Sequence, residues 1–186
     1  MKRPGEALLA AALLAMVASA CGGGEENSVP RRRAYARIDT YPAEYRAVEV
    51  AGIPLQINTS TSATSPRDGW LDVLYPRYGA TFHLAVARPE PGTLDLAVAN
   101  RRQRMSLNLG GATAEQTTLA GDRYVCELLV SRDAVATPVQ ILAVGADGTL
   151  VSGATVIAGR TEPVDSLRPV VDALRADALH LLMHLK

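Results

Sequence analysis

Excess charge of either sign is missing from this 186-residue sequence: 19 Lys and Arg face 19 Asp and Glu. That balance disfavours an electrostatic grip on nucleic acid. Aromatic residues are scarce as well, at 4% with one Trp and one Phe, which excludes a base-stacking platform or a broad aromatic sugar-binding strip. Hydrophobic residues make up 48% and charged residues 20%, ordinary globular usage that excludes a wholly disordered chain. The length suits one domain.

What is present begins with a targeting segment. Lys2 and Arg3 form a positive region, Ala7 to Val17 is uninterruptedly apolar, and Ala18, Ser19 and Ala20 are small residues of the kind that precede a cleavage site. The apolar stretch is too short for a spanning helix, which needs about 20 such residues. Small residues running into Cys21 resemble the lipobox of bacterial lipoproteins, in which a diacylglycerol is joined to the thiol, although Ala18 stands where that motif more often has Leu. Residues 1–20 are thus expected to be a lipoprotein signal peptide and Cys21 the lipidated first residue, anchoring the chain to a membrane. Cleavage would leave 17 basic and 18 acidic residues, so the lipid chains, not charge, would hold the anchor. With Cys21 lipidated, Cys126 is the one remaining thiol and no intramolecular disulfide forms. Alternation places Cys126 with Tyr124, Leu128 and Val130 on a core face, which makes it a buried, inert thiol.

Residues 21–33 read as a flexible tether, rich in Gly and Glu and ending in Arg31, Arg32 and Arg33. The arginine run reads as a solvated domain edge, or else as a contact to lipid headgroups or an acidic partner. Residues 34–186 form the expected domain. Residues 34–39 and 47–57 are β-like, with breaks at Pro42, Gly52 and Pro54, and Thr59 to Asp68 is loop-like. Trp70 to Tyr75 and Ala80 to Ala87 predict a hairpin turning over Pro76, Arg77, Tyr78 and Gly79. Thr93 is placed to cap a helix to Leu109, with Leu94, Val98, Arg101 and Met105 at helical spacing and Gly110 with Gly111 as the stop. Strands are expected at 114–119, 124–130, 139–144 and 150–158, antiparallel because their connections are short.

A closing helix is the clearest element. Asp165 or Ser166 would cap it, Pro169 would sit in its first turn, and Leu167, Val170, Val171, Leu174, Ala178, Leu181, Leu182 and Leu185 form an apolar stripe. The fold class is therefore α+β, a single domain in which two helices cover an antiparallel sheet.

No motif for catalysis stands out. His180 and His184 are an i, i+4 pair on the closing helix, but no HExxH is present, and both fall off the Leu stripe toward solvent. His83, out of phase with Phe82 and Leu84, reads as a hydrogen-bonded strand residue. Serine has no nucleophile elbow, and the paired glycines lack the Lys or helix start of a phosphate loop. No catalytic residue, metal ligand or cofactor is expected. Tyr75, Arg77 and Tyr78 are the candidate partner-binding residues, since aromatics with Arg on a rigid turn have the composition of interface hot spots; folding back of the rings into the core is the competing account.

Several stretches together resemble the gliding-motility lipoproteins of the Bacteroidetes called GldD. They are Tyr35, Arg37, Ile38 and Asp39; Tyr75, Pro76, Tyr78, Ala80, Thr81, His83 and Leu84; Gly153 and Ala154; and Asp165, Ser166, Leu167, Pro169, Val170, Asp177, His180, Leu181, Leu185 and Lys186. The sequence departs from that pattern around Ile53 to Ser65, where a Cys-Pro-aromatic strand is usual, and it lacks the aromatic residue that commonly follows Lys186. The resemblance implies an envelope lipoprotein, held in the outer membrane and facing the periplasm, that acts with other proteins of the gliding and type IX secretion machinery without catalysis. The alternative is an envelope hydrolase or small-ligand carrier. By analogy of element order, the layout is similar to small α/β/α sandwiches such as the PsbP-like fold.

Overall fold

The computed structural model describes residues 39–133, 136–158 and 164–185. The expected signal segment, Cys21, the expected tether, the three arginines and Tyr35, Arg37, Ile38 and Lys186 lie outside the described residues. In chain order the elements are β1 (Tyr45–Val50), β2 (Ile53–Asn58), β3 (Ser62–Thr64), β4 (Trp70–Tyr75), a 3-10 turn (Pro76–Tyr78), β5 (Ala80–Ala87), α1 (Leu94–Leu109), β6 (Glu115–Ala120), β7 (Tyr124–Val130), β8 (Val139–Gly145), β9 (Leu150–Ile157) and α2 (Val164–Met183). The domain is α+β.

Seven strands form one antiparallel sheet in the order β3-β4-β5-β9-β8-β7-β6. Two meanders, β3 to β5 and β6 to β9, are joined along a single seam where β5 pairs antiparallel with β9, from Ala80 opposite Ile157 to Ala87 opposite Leu150. β1 and β2 make a separate hairpin. Its two-residue turn has Ala51 at φ 49° and Gly52 at φ 78°, the left-handed pair that a tight hairpin with the strand twist requires. The expected loop at 59–68 contains the short edge strand β3.

Alternation along the strands sorts residues between two faces. Tyr124, Cys126, Leu128 and Val130 of β7, with Phe82 and Leu84 of β5, belong to the larger core, which α2 and the β1–β2 hairpin cover. Val170, Leu174, Ala178 and Leu181 of α2 are fully or almost fully buried there, so the predicted stripe is the docking face. Each such leucine or valine contributes about 1.5–3 kcal/mol through burial. The helix is present from Val164, so Asp165 and Ser166 lie inside it and not at its cap, and Pro169 follows the first turn. Its cap falls outside the described residues.

Among the described residues the opposite face is covered by α1, through a small cluster of Val98, Met105, Leu142 and Leu150. Thr93 stands at the N-cap position, but its hydroxyl donates to the Glu90 carbonyl at 2.8 Å and caps no helix N–H. Gly110, at φ 58°, ends the helix as predicted. Seven strands spaced at about 4.8 Å span roughly 29 Å, whereas a helix with its side chains is about 10–12 Å across. α1 sits over β8, and among the described residues no element covers the β4–β5–β9 half of this face.

Candidate functional site

Two places in the fold gather polar chemistry, one on each side of the sheet. The first is built around Asp177. In sequence this residue interrupts the α2 stripe, three residues after Leu174 and four before Leu181. The fold surrounds it with donors: Tyr45 Oη donates to Asp177 Oδ1 at 2.9 Å, Asn58 Nδ2 approaches the same oxygen at 3.5 Å, and Tyr75 adds a further hydrogen bond. Burial pushes the Asp177 carboxyl above its usual range, while those three donors partly oppose the rise. The phenols respond in turn. Tyr45 is pushed up to about 12 by burial and by Asp177, and Tyr75 well above its ordinary value for the same reasons.

Tyr41, Tyr75 and Tyr78 pack together beside this carboxylate, with ring centroids 4.9 to 6.2 Å apart. Tyr78 Oη accepts from the Tyr41 backbone N–H at 2.9 Å, and Tyr41 Oη accepts from the Arg77 N–H at 3.1 Å. These bonds clamp residues 41 and 77 to each other across the chain. Tyr75 is 2% exposed and Tyr78 1%. The expectation that their rings form a partner-binding surface is thereby corrected: a partner cannot reach them, because the turn folds them inward against Tyr41 and the core. Of the three residues only Arg77 is exposed, its guanidinium 5.1 Å from the Tyr41 ring centroid.

The histidines separate. His180 is half-buried, stacked on Tyr45 at 3.4 Å and on His184 at 4.0 Å, so it does not point free into solvent. Burial, then the neighbouring His184, lowers its proton affinity. His184, one residue past the end of α2, has its Nδ1 2.8 Å from the His180 carbonyl. Among the described residues no group of three or more His, Cys, Asp or Glu is arranged to hold a metal ion. Cys126 is buried in the core, and burial raises its thiol pKa.

The second place is the half of the α1 face that no other described element covers. Register across the sheet lays two rungs along its floor. Trp70, Ala85 and Ser152 lie side by side, and next to them Asp72, His83, Ala154 and Gln140. The predicted hydrogen bond of His83 is present, Nδ1 lying 2.7 Å from Asp72 Oδ1. Gln140 is buried and fixed at both ends, accepting from Asn108 Nδ2 at 2.9 Å and donating to the Met105 carbonyl at 3.1 Å. Trp70 lies under the Arg67 guanidinium at 3.7 Å. The resulting groove holds about 340 Å³.

The wall of the groove is one flank of α1. Arg101, Arg104 and Asn108 recur at i, i+3 and i+7 and line it, whereas Arg102 lies on the other flank and pairs with Glu127 of β7. Neither Arg101 nor Arg104 makes an ion pair or side-chain hydrogen bond among the described residues. Partial burial and the adjacent Arg104 lower the proton affinity of Arg101. Arginine inside the Leu94–Val98–Met105 stripe and aspartate inside the α2 stripe were the signals by which both places announce themselves in the sequence; which other side chains meet them was not readable there.

No helix among the described residues is long and apolar enough to cross a membrane. No protein-family model matches this chain, and no curated protein matches it.

Proposed function

We propose that this protein is a lipid-anchored lipoprotein of the cell envelope, of the GldD kind, that serves the gliding and type IX secretion machinery as a non-catalytic binding component. One observation supports this reading most. The stretches that carry the resemblance are distant in sequence, yet Tyr75 and Tyr78 from one and Asp177 and His180 from another meet in a single hydrogen-bonded and stacked cluster with Tyr45. That scattered members of the pattern build one cluster is what supports the reading. Lipid attached at Cys21 would then hold this domain at the membrane, with residues 22–33 as the tether.

Deletion of the gene in its source organism, followed by assay of type IX cargo in the medium, tests the machinery assignment. Export is expected to fall and to return with the wild-type chain but not with Cys21→Ser, which should take up no palmitate analogue and leave the membrane fraction. Undiminished export in the deletion strain would overturn the secretion role; equal labelling of Cys21→Ser would overturn the anchor.

A further inference from the structure

The groove beside α1 lies on the opposite face of the sheet from the Asp177 cluster, and its reading does not depend on the envelope assignment. Its floor is made of short side chains, Ala85, Ser152 and Ala154, on strands that no element covers on this face among the described residues. Ser152 is buried and lines the groove. Arg101 and Arg104 flank that floor without an anionic partner among the described residues. Leu107, 70% exposed, stands on the same helix at the edge of the groove, and Trp70 faces it from β4. At the far end Asp72 accepts from or pairs with His83, so a second negative charge would be repelled there. The chemistry is asymmetric: cations and an apolar residue along the helix, small residues below, a carboxylate across.

We propose that this groove binds a small organic anion with one acidic end, a carboxylate or phosphate held by Arg101 and Arg104, and an apolar body laid over Ala85, Ser152 and Ala154 toward Trp70. Guanidinium forks suit either oxyanion, since both accept paired N–H donors. The cavity volume of about 340 Å³ stands at the lower end of the range for small-molecule sites, about 300–1,000 Å³. An anion seated between the two guanidiniums would also relieve their mutual repulsion and the partial desolvation of Arg101.

Trp70 is the single tryptophan of the chain, so its emission reports on this groove and nowhere else. Purified protein is titrated with benzoate, phenyl phosphate, uncharged benzamide and an acetylated Glu-Gly-Glu peptide. A saturable change in Trp70 emission with benzoate or phenyl phosphate, and none with benzamide, is expected; which of the two binds more tightly identifies the acid. The R101Q/R104Q double variant should weaken that affinity about tenfold or more, whereas Arg102→Gln, on the other flank, should not. Both variants alter exposed or half-exposed side chains, and thermal melts followed by circular dichroism establish that they are folded. Silence of both aromatic anions, an equal response to benzamide, unchanged affinity in R101Q/R104Q, or a response to the peptide alone would each overturn the proposal, the last in favour of a protein contact.

Discussion

Tyr45 Oη and Asp177 Oδ1 are 2.9 Å apart, although 132 residues separate them in the chain. This bond ties the β1–β2 hairpin to α2 and gives a half-buried carboxylate its nearest donor. Replacement by Tyr45→Phe keeps the ring that stacks on His180 but removes that donor. The expected loss is about 1–3 kcal/mol at pH 7, the cost of a poorly satisfied buried polar group. It should shrink toward pH 4. Asp177 already has a raised folded pKa, so acid protonates it and the neutral acid needs the phenol less. Urea unfolding at both pH values checks this; equal losses would show that Asp177 does not depend on Tyr45.

His180 sets an opposite pH response. Its folded pKa lies below the ordinary histidine value near 6.5, so between the two the unfolded chain binds more protons than the folded one. The stability associated with neutral His180 is therefore complete above about pH 6.5 and declines as the pH falls through the folded value. Asp177, with its folded pKa raised, works the other way: its ionisation removes stability as the pH rises from the unfolded carboxylate value through the folded one. Melting temperatures of the wild-type chain and His180→Gln across pH 4 to 8 separate the two effects. The variant should lose the part of the acid decline that begins just below pH 6.5. Parallel curves would rule the histidine out.

Gly153 is required by close packing and not by backbone conformation. A Cβ built there would lie 2.6 Å from Leu84 Cδ2, 2.8 Å from Phe82 Cε2 and 2.9 Å from the His83 carbonyl oxygen. Two of these neighbours are core side chains and the third is backbone, so relief requires the β5–β9 seam to shift. Gly153→Ala should cost about 1–3 kcal/mol by overpacking. The neighbouring Ala154→Gly points to the groove face and should cost only the strand-entropy difference, roughly 0.5–1 kcal/mol. Chemical denaturation of both variants decides it, and an Ala at 153 no worse than the Gly at 154 would disprove the packing account.

Local rules determined much of this protein. Period-two alternation located β4, β5, β7, β8 and β9 to within a residue or so, short connections implied antiparallel pairing, and the α2 stripe marked its buried face before any partner was known. Those features depend on residues a few positions apart, which is why a sequence carries them. The same rules placed Tyr75 and Tyr78 on a turn without showing which way the rings fold, because that depends on Tyr41, more than thirty residues upstream. They put Arg101 at helical spacing with Leu94, Val98 and Met105, and Asp177 between Leu174 and Leu181, without showing what surrounds either charge. Tertiary structure alone decided those. The β5–β9 seam joins two meanders into a sheet wider than one helix can cover, and that mismatch in width leaves a groove beside Arg101. On the other face, the hairpin and α2 together close over Asp177, bringing Tyr45, Asn58 and Tyr75 to a carboxylate that no local periodicity connects to them.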